Sequence, residues 1–199
     1  KNDLTIYTFG DSQAEKLDYV FYKDPRYHSG WRSGWSARGL YLEANIQKIL
    51  VPISKCTTKH MLVNLVYGST DIDINLAYKR HQKKQNVNIK TFMSEMINNF
   101  WGLISRIRQM NADMTDKHIH ICLVFPYVPL PTTNEYWLST FHNLPSPHEE
   151  RLQLYDEFIL LLKNKCHTNN IHVTSAHSVK SNTNHRNSSS SGSSRSSST

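Results

Sequence analysis

The string Gly10-Asp11-Ser12 closes an apolar run, Leu4-Thr5-Ile6-Tyr7-Thr8-Phe9, whose alternation and β-branched and aromatic content predict a strand. A glycine at a strand end permits a tight turn with positive φ. The two residues after it are lifted off the carboxyl edge of the sheet, where open α/β folds place their sites. A serine held there, opening the next helix, has the position of a nucleophile. The plainer reading of the same residues is a strand-to-helix turn in which Asp11 or Ser12 caps Gln13-Ala14-Glu15. Two further predicted strands end in polar or turn-forming residues, at Gly68-Ser69-Thr70-Asp71 and at Pro126-Tyr127. In a parallel sheet such ends lie along one edge, so stretches far apart in the chain converge there. The loop aromatics Trp31, Trp35, Tyr127, Tyr136 and Trp137 either offer flat faces to sugar rings or pack the loops themselves. There are 11 histidines but no His-x-x-x-His or other ligand spacing, and neither Gly-x-x-x-x-Gly-Lys nor Gly-x-Gly-x-x-Gly occurs. No metal and no cofactor is expected.

The elements that must position these residues alternate. Gln13 to Tyr22 reads as a short helix with Leu17, Val20 and Phe21 on one side, and Ser29 to Gly39 as loop around a short strand. Leu40 to Cys56 has helical spacing, with Pro52 breaking or kinking it late. Met61 to Tyr67 is nearly continuously apolar, as in a strand buried on both faces of a parallel sheet. A polar segment separates it from the longest predicted helix, Ile89 to Met110. Then come a strand from Ile119 to Phe125, a long Pro-rich loop from Pro126 to Pro147, a helix from Glu149 to Cys166 and a last strand from Ile171 to Ser175. The expected architecture is an open, mainly parallel sheet covered on both faces.

Hydrophobic residues make up 38% of the 199, enough for one domain, expected over residues 1–178. Residues 179–199 are Ser, Asn, Thr, Gly and Arg with almost nothing apolar and are expected to be a disordered tail. A net charge of +7 suits anionic surfaces, glycans or nucleic acid without demanding any of them. The densest basic cluster, Lys79 to Lys84, reads as a solvated face, and nucleic acid is not the expected partner. Cys56, Cys122 and Cys166 have no pairing scheme and are expected to be buried free thiols, which leaves localisation open while favouring a reducing, cytoplasmic compartment. No apolar stretch is long enough to span a bilayer. The start at Lys1, without a methionine or signal-like segment, fits a processed or excised piece.

In these motifs the chain resembles the SGNH (GDSL-type) hydrolase and esterase superfamily. Gly10-Asp11-Ser12 is similar to its nucleophile segment. Trp35-Ser36-Ala37-Arg38-Gly39-Leu40 resembles its second segment, and Gly68-Ser69-Thr70-Asp71 stands in place of its Gly-x-Asn-Asp segment. The resemblance implies a three-layer α/β/α domain with a mainly parallel, flavodoxin-like open sheet. It also implies ester hydrolysis or acyl transfer on an acylated carbohydrate-type or other small ester substrate. Ser12 would attack, the N–H groups of Ser12 and Gly39 with Thr70 would hold the oxyanion, and Asp11 and Asp71 would organise the turns. Trp35 and Tyr127, with Asp11 and Asp71, would line the substrate site. Two departures stand out. Thr70 replaces an asparagine donor, and no Asp-x-x-His follows the last strand, which leaves His177 as the nearest base. The alternative is a catalytically degenerate member that binds a glycan or a protein.

Overall fold

The computed structural model describes residues 3–126, 135, 138–139 and 144–169. Strand β1 (Leu4–Gly10) pairs in parallel with β2 (Tyr27–Ser29) on one side and β3 (His60–Val66) on the other, and β3 pairs in parallel with β4 (His118–Leu123). The sheet order is therefore β2-β1-β3-β4. The chain steps outward from β1 to β2 and then crosses back to β3. A reversal of strand order of this kind is where open α/β sheets place their sites, beyond the carboxyl ends of the strands on either side. With its helices the sheet makes a three-layer α/β/α fold, as the alternating pattern predicts.

Register explains which residues reach the core. Tyr7 stands opposite Val63 and Phe9 opposite Leu65, so they share a face with Met61 and with Ile119 of β4. The core gathers that face with Ile46, Ile49, Leu50 and Ile53 of α2 (Glu43–Ser54), the apolar stripe of α3 (Ile89–Asp113), and Leu154, Tyr155, Phe158 and Leu162 of α4 (His148–Thr168). Each such side chain contributes about 1.5–3 kcal/mol by leaving water. The α3 stripe runs Phe92, Met96, Phe100, Leu103 and Ile107, the helical period that its sequence carries. Its start is capped by Asn88, whose side-chain oxygen accepts from Thr91 N–H at 3.0 Å.

Several expectations are corrected. The polar segment after β3 is helical: two π-helical turns, Asp71–Asn75 and Tyr78–Gln82, flank Leu76 and Ala77, which are buried with Ile72. Pro52 sits inside α2, which runs on to Ser54. The region from Gln13 divides into a 3-10 turn, Ser12–Ala14, and a short helix α1, Glu15–Val20. All three cysteines are free, but Cys122 is exposed on β4 rather than buried. Gly10 does not take positive φ. It is required instead because a Cβ there would stand 2.1 Å from the Val66 carbonyl oxygen, so only glycine lets the ends of β1 and β3 close together. Positive φ belongs to Gly68 (φ 119°), over which the Phe158 ring packs 2.8 Å from where a Cβ would be. Among the described residues no helix is long and apolar enough to cross a membrane. The expected last strand and the tail lie outside the described residues.

Candidate functional site

The site is built by two buried carboxylates. Asp11 follows β1 and is wholly buried. One of its oxygens accepts from Gln13 N–H at 3.0 Å and so caps the 3-10 turn. The other accepts from Ser69 N–H at 3.0 Å and Thr70 N–H at 3.4 Å. Asp11 thus performs the plain capping role and also ties the end of β1 to the loop after β3. Burial pushes its carboxyl above the ordinary range, against the pull of Ser69 and of the amides of Gln13 and Thr70.

Asp71 is equally buried, and it reaches the second loop. Its Oδ2 accepts from Ala37 N–H at 2.6 Å and its Oδ1 from Asn75 Nδ2 at 3.4 Å. Burial raises its carboxyl to about 7, although the Ala37 amide, Asn75 and Arg38 favour the charged form. Asp11 therefore ties Gly10–Ser12 to Gly68–Asp71, and Asp71 ties that loop to Ala37–Gly39, each through a buried carboxyl acceptor and backbone N–H donors.

The loop carrying Gly39 is further fixed by α2 and α3. Asn45 donates to the Gly39 carbonyl at 3.0 Å and Asn99 to the Arg38 carbonyl at 2.9 Å. The Arg38 guanidinium lies 4.7 Å above the Phe92 ring and pairs with Glu95 at 2.6 Å. The Gly39 N–H is engaged locally, donating to Ser36 Oγ at 3.0 Å. Ser12 begins the 3-10 turn and is exposed, whereas Thr70 is buried. Trp35 is half-buried, with Arg32 and Lys48 each 5.7 Å from its ring. His177 and Tyr127, like Tyr136 and Trp137, lie outside the described residues. Among the described residues no cluster of His, Cys, Asp or Glu could hold a metal ion.

Sequence reasoning missed the layer beneath. Asp73 accepts from the Tyr155 hydroxyl at 2.8 Å and lies 3.5 Å from Arg151 Nη1, with Arg151 itself buried. Burial raises the Asp73 carboxyl to about 6 against the pull of Tyr155 and Arg151. This group fastens α4 to the turn that bears Asp71. The spacing of Ile72 and Leu76, one helical turn apart, was the available sign that this segment is helical and that Asp71 and Asp73 sit on it. Ser36, Asn45 and Asn99 carry no such sign, because their roles depend on which backbone groups the fold brings to them. In comparisons with known proteins, no family model and no curated protein matches the chain.

Proposed function

We propose that this chain is an SGNH-like hydrolase domain that cleaves or transfers the acyl group of a carbohydrate-type ester, with Ser12 as nucleophile. The observation that carries the reading is the pair of buried carboxylates, Asp11 and Asp71, holding an exposed serine and two backbone segments at the carboxyl ends of β1 and β3. In this reading Ser12 Oγ attacks the ester carbonyl carbon while its proton passes to a base, for which His177 is the candidate. The oxyanion is met by the Ser12 and Gly39 N–H groups and the Thr70 hydroxyl. The proton then goes to the departing sugar alkoxide. Water, or an acceptor hydroxyl, attacks the acyl-serine and frees Ser12.

One observation favours a second reading, a non-catalytic member that binds a glycan or a protein. The Gly39 N–H already donates to Ser36 Oγ, so an oxyanion must compete for it. Treating the full chain with a fluorophosphonate and locating the adduct by mass spectrometry separates the two. Labelling at Ser12 that vanishes in Ser12→Ala and weakens in His177→Ala supports the hydrolase. A folded protein that takes no label at Ser12 overturns it in favour of the binder.

A further inference from the structure

Beside the rim a pocket of ≈ 700 Å³ opens between β1, the segment after β2 and the second half of α2. Its floor is aromatic: Tyr7 and Phe9 stack with centroids 5.7 Å apart. The Tyr7 hydroxyl is spent on the Pro52 carbonyl at 3.3 Å, so this floor presents ring rather than polar edge. Trp31 and Trp35 form walls. The Trp31 indole N–H donates to Asp18 Oδ2 at 2.7 Å, which fixes that ring before any ligand arrives.

Three of the polar lining residues are cationic, beside His28 and Ser29. Arg32 and Lys48 both stand over the Trp35 ring, 5.7 Å from its centroid. Lys48 and Lys55 are seven residues apart on or just beyond α2 and line the same pocket, as two turns of helix require. No Asp or Glu lines it, and none of the three cations forms an ion pair with a described residue. Like charges gathered in one concavity raise the local concentration of anions. One fixed indole, Trp31, beside a second indole faced by two cations matches a ring that has an apolar face and an anionic substituent.

We infer that this pocket binds an acidic saccharide, a sugar ring bearing a carboxylate or sulfate group, with Trp31 against the C–H face and Arg32, Lys48 and Lys55 around the anion beside Trp35. The inference rests on the carbohydrate reading above and adds the charge of the sugar to it. A nucleotide fits less well. Reading a base edge needs acceptors as well as donors, and besides the Tyr7 hydroxyl the lining offers only Ser29 and His28 as side-chain acceptors against three cations, with no carboxylate or carboxamide.

The test is a tryptophan-fluorescence titration of the full chain with a digalacturonate, a sulfated disaccharide, an uncharged disaccharide of the same size and AMP. The acidic disaccharides are expected to bind about tenfold or more tighter than the uncharged one, and to weaken as salt is raised. Lys48→Glu with Lys55→Glu should weaken them about tenfold. Both lysines are exposed, so this variant keeps the test alive even if Trp35→Ala fails to fold. Equal binding of charged and uncharged sugars, no binding of either, or tighter binding of AMP overturns the inference. Ser12→Ala should bind as the parent does. Loss of acidic-sugar binding with Ser12 labelling intact defeats only this inference, and binding without labelling defeats only the esterase reading.

Discussion

Replacing Asp71 with asparagine should remove a large part of the protein's pH-dependent instability. The Asp71 carboxyl is raised from 3.8 to about 7, a difference on the order of 4 kcal/mol between its two protonation states. The folded protein therefore holds this proton more tightly than the unfolded chain does. Below pH 4 both states are protonated and the site costs nothing. As pH climbs from about 4 to 7 the unfolded chain gains by ionising first, so stability falls, and above 7 the loss is constant. Asparagine cannot ionise, yet its carbonyl can still accept from Ala37 N–H, and Asn75 can turn its oxygen to the new amide. Alanine, by contrast, leaves a buried N–H without an acceptor and should cost about 1–3 kcal/mol at every pH. Asp11 and Asp73 are also raised and slope the same way, so the quantity to measure is the difference between parent and Asp71→Asn. Urea unfolding followed by circular dichroism from pH 4 to 8 gives it. The asparagine variant should gain on the parent through that window by up to the order of 4 kcal/mol. Parallel profiles for the two proteins, or an asparagine variant as unstable as the alanine one, would refute the reasoning.

Removing the Ser36 hydroxyl frees the Gly39 N–H, whose present bond is worth about 1 kcal/mol net. Ser36→Ala should therefore raise the rate constant for fluorophosphonate labelling of Ser12 about two- to tenfold, and an unchanged or lower rate would remove Gly39 from the oxyanion site. Arg151→Met leaves Asp73 buried beside Tyr155 without its cation and should cost about 3–5 kcal/mol in urea unfolding. Adding Asp73→Asn should recover part of that loss, and independent, additive effects would show that the two groups do not form a unit.

The strands and long helices were legible because their signals are local. β1 and β3 show apolar runs of strand length, and α3 repeats its apolar residues with the helical period from Phe92 to Ile107. Alternation of these elements was enough for a parallel sheet with helices around it. The helical turns after β3 escaped because Asp71, Asp73, Asn75 and Lys79 interrupt the pattern, and in sequence a buried carboxylate looks like a solvated one. Arg151 was hidden the same way, beside Glu149 and Glu150 on what reads as a charged first turn.

What the chain alone determined is the main strands, the long helices, and the strand end that carries Ser12. Tertiary structure decided the rest. It made Asp11 and Asp71 the fasteners between segments, engaged the Gly39 N–H with Ser36, and gathered Trp31, Trp35 and two lysines of the α2 region into one pocket. The physical reason is range. Backbone propensity and apolar periodicity act over a few residues, whereas burial, hydrogen-bond partners and the electrostatics of a carboxylate depend on groups that only the folded chain brings together.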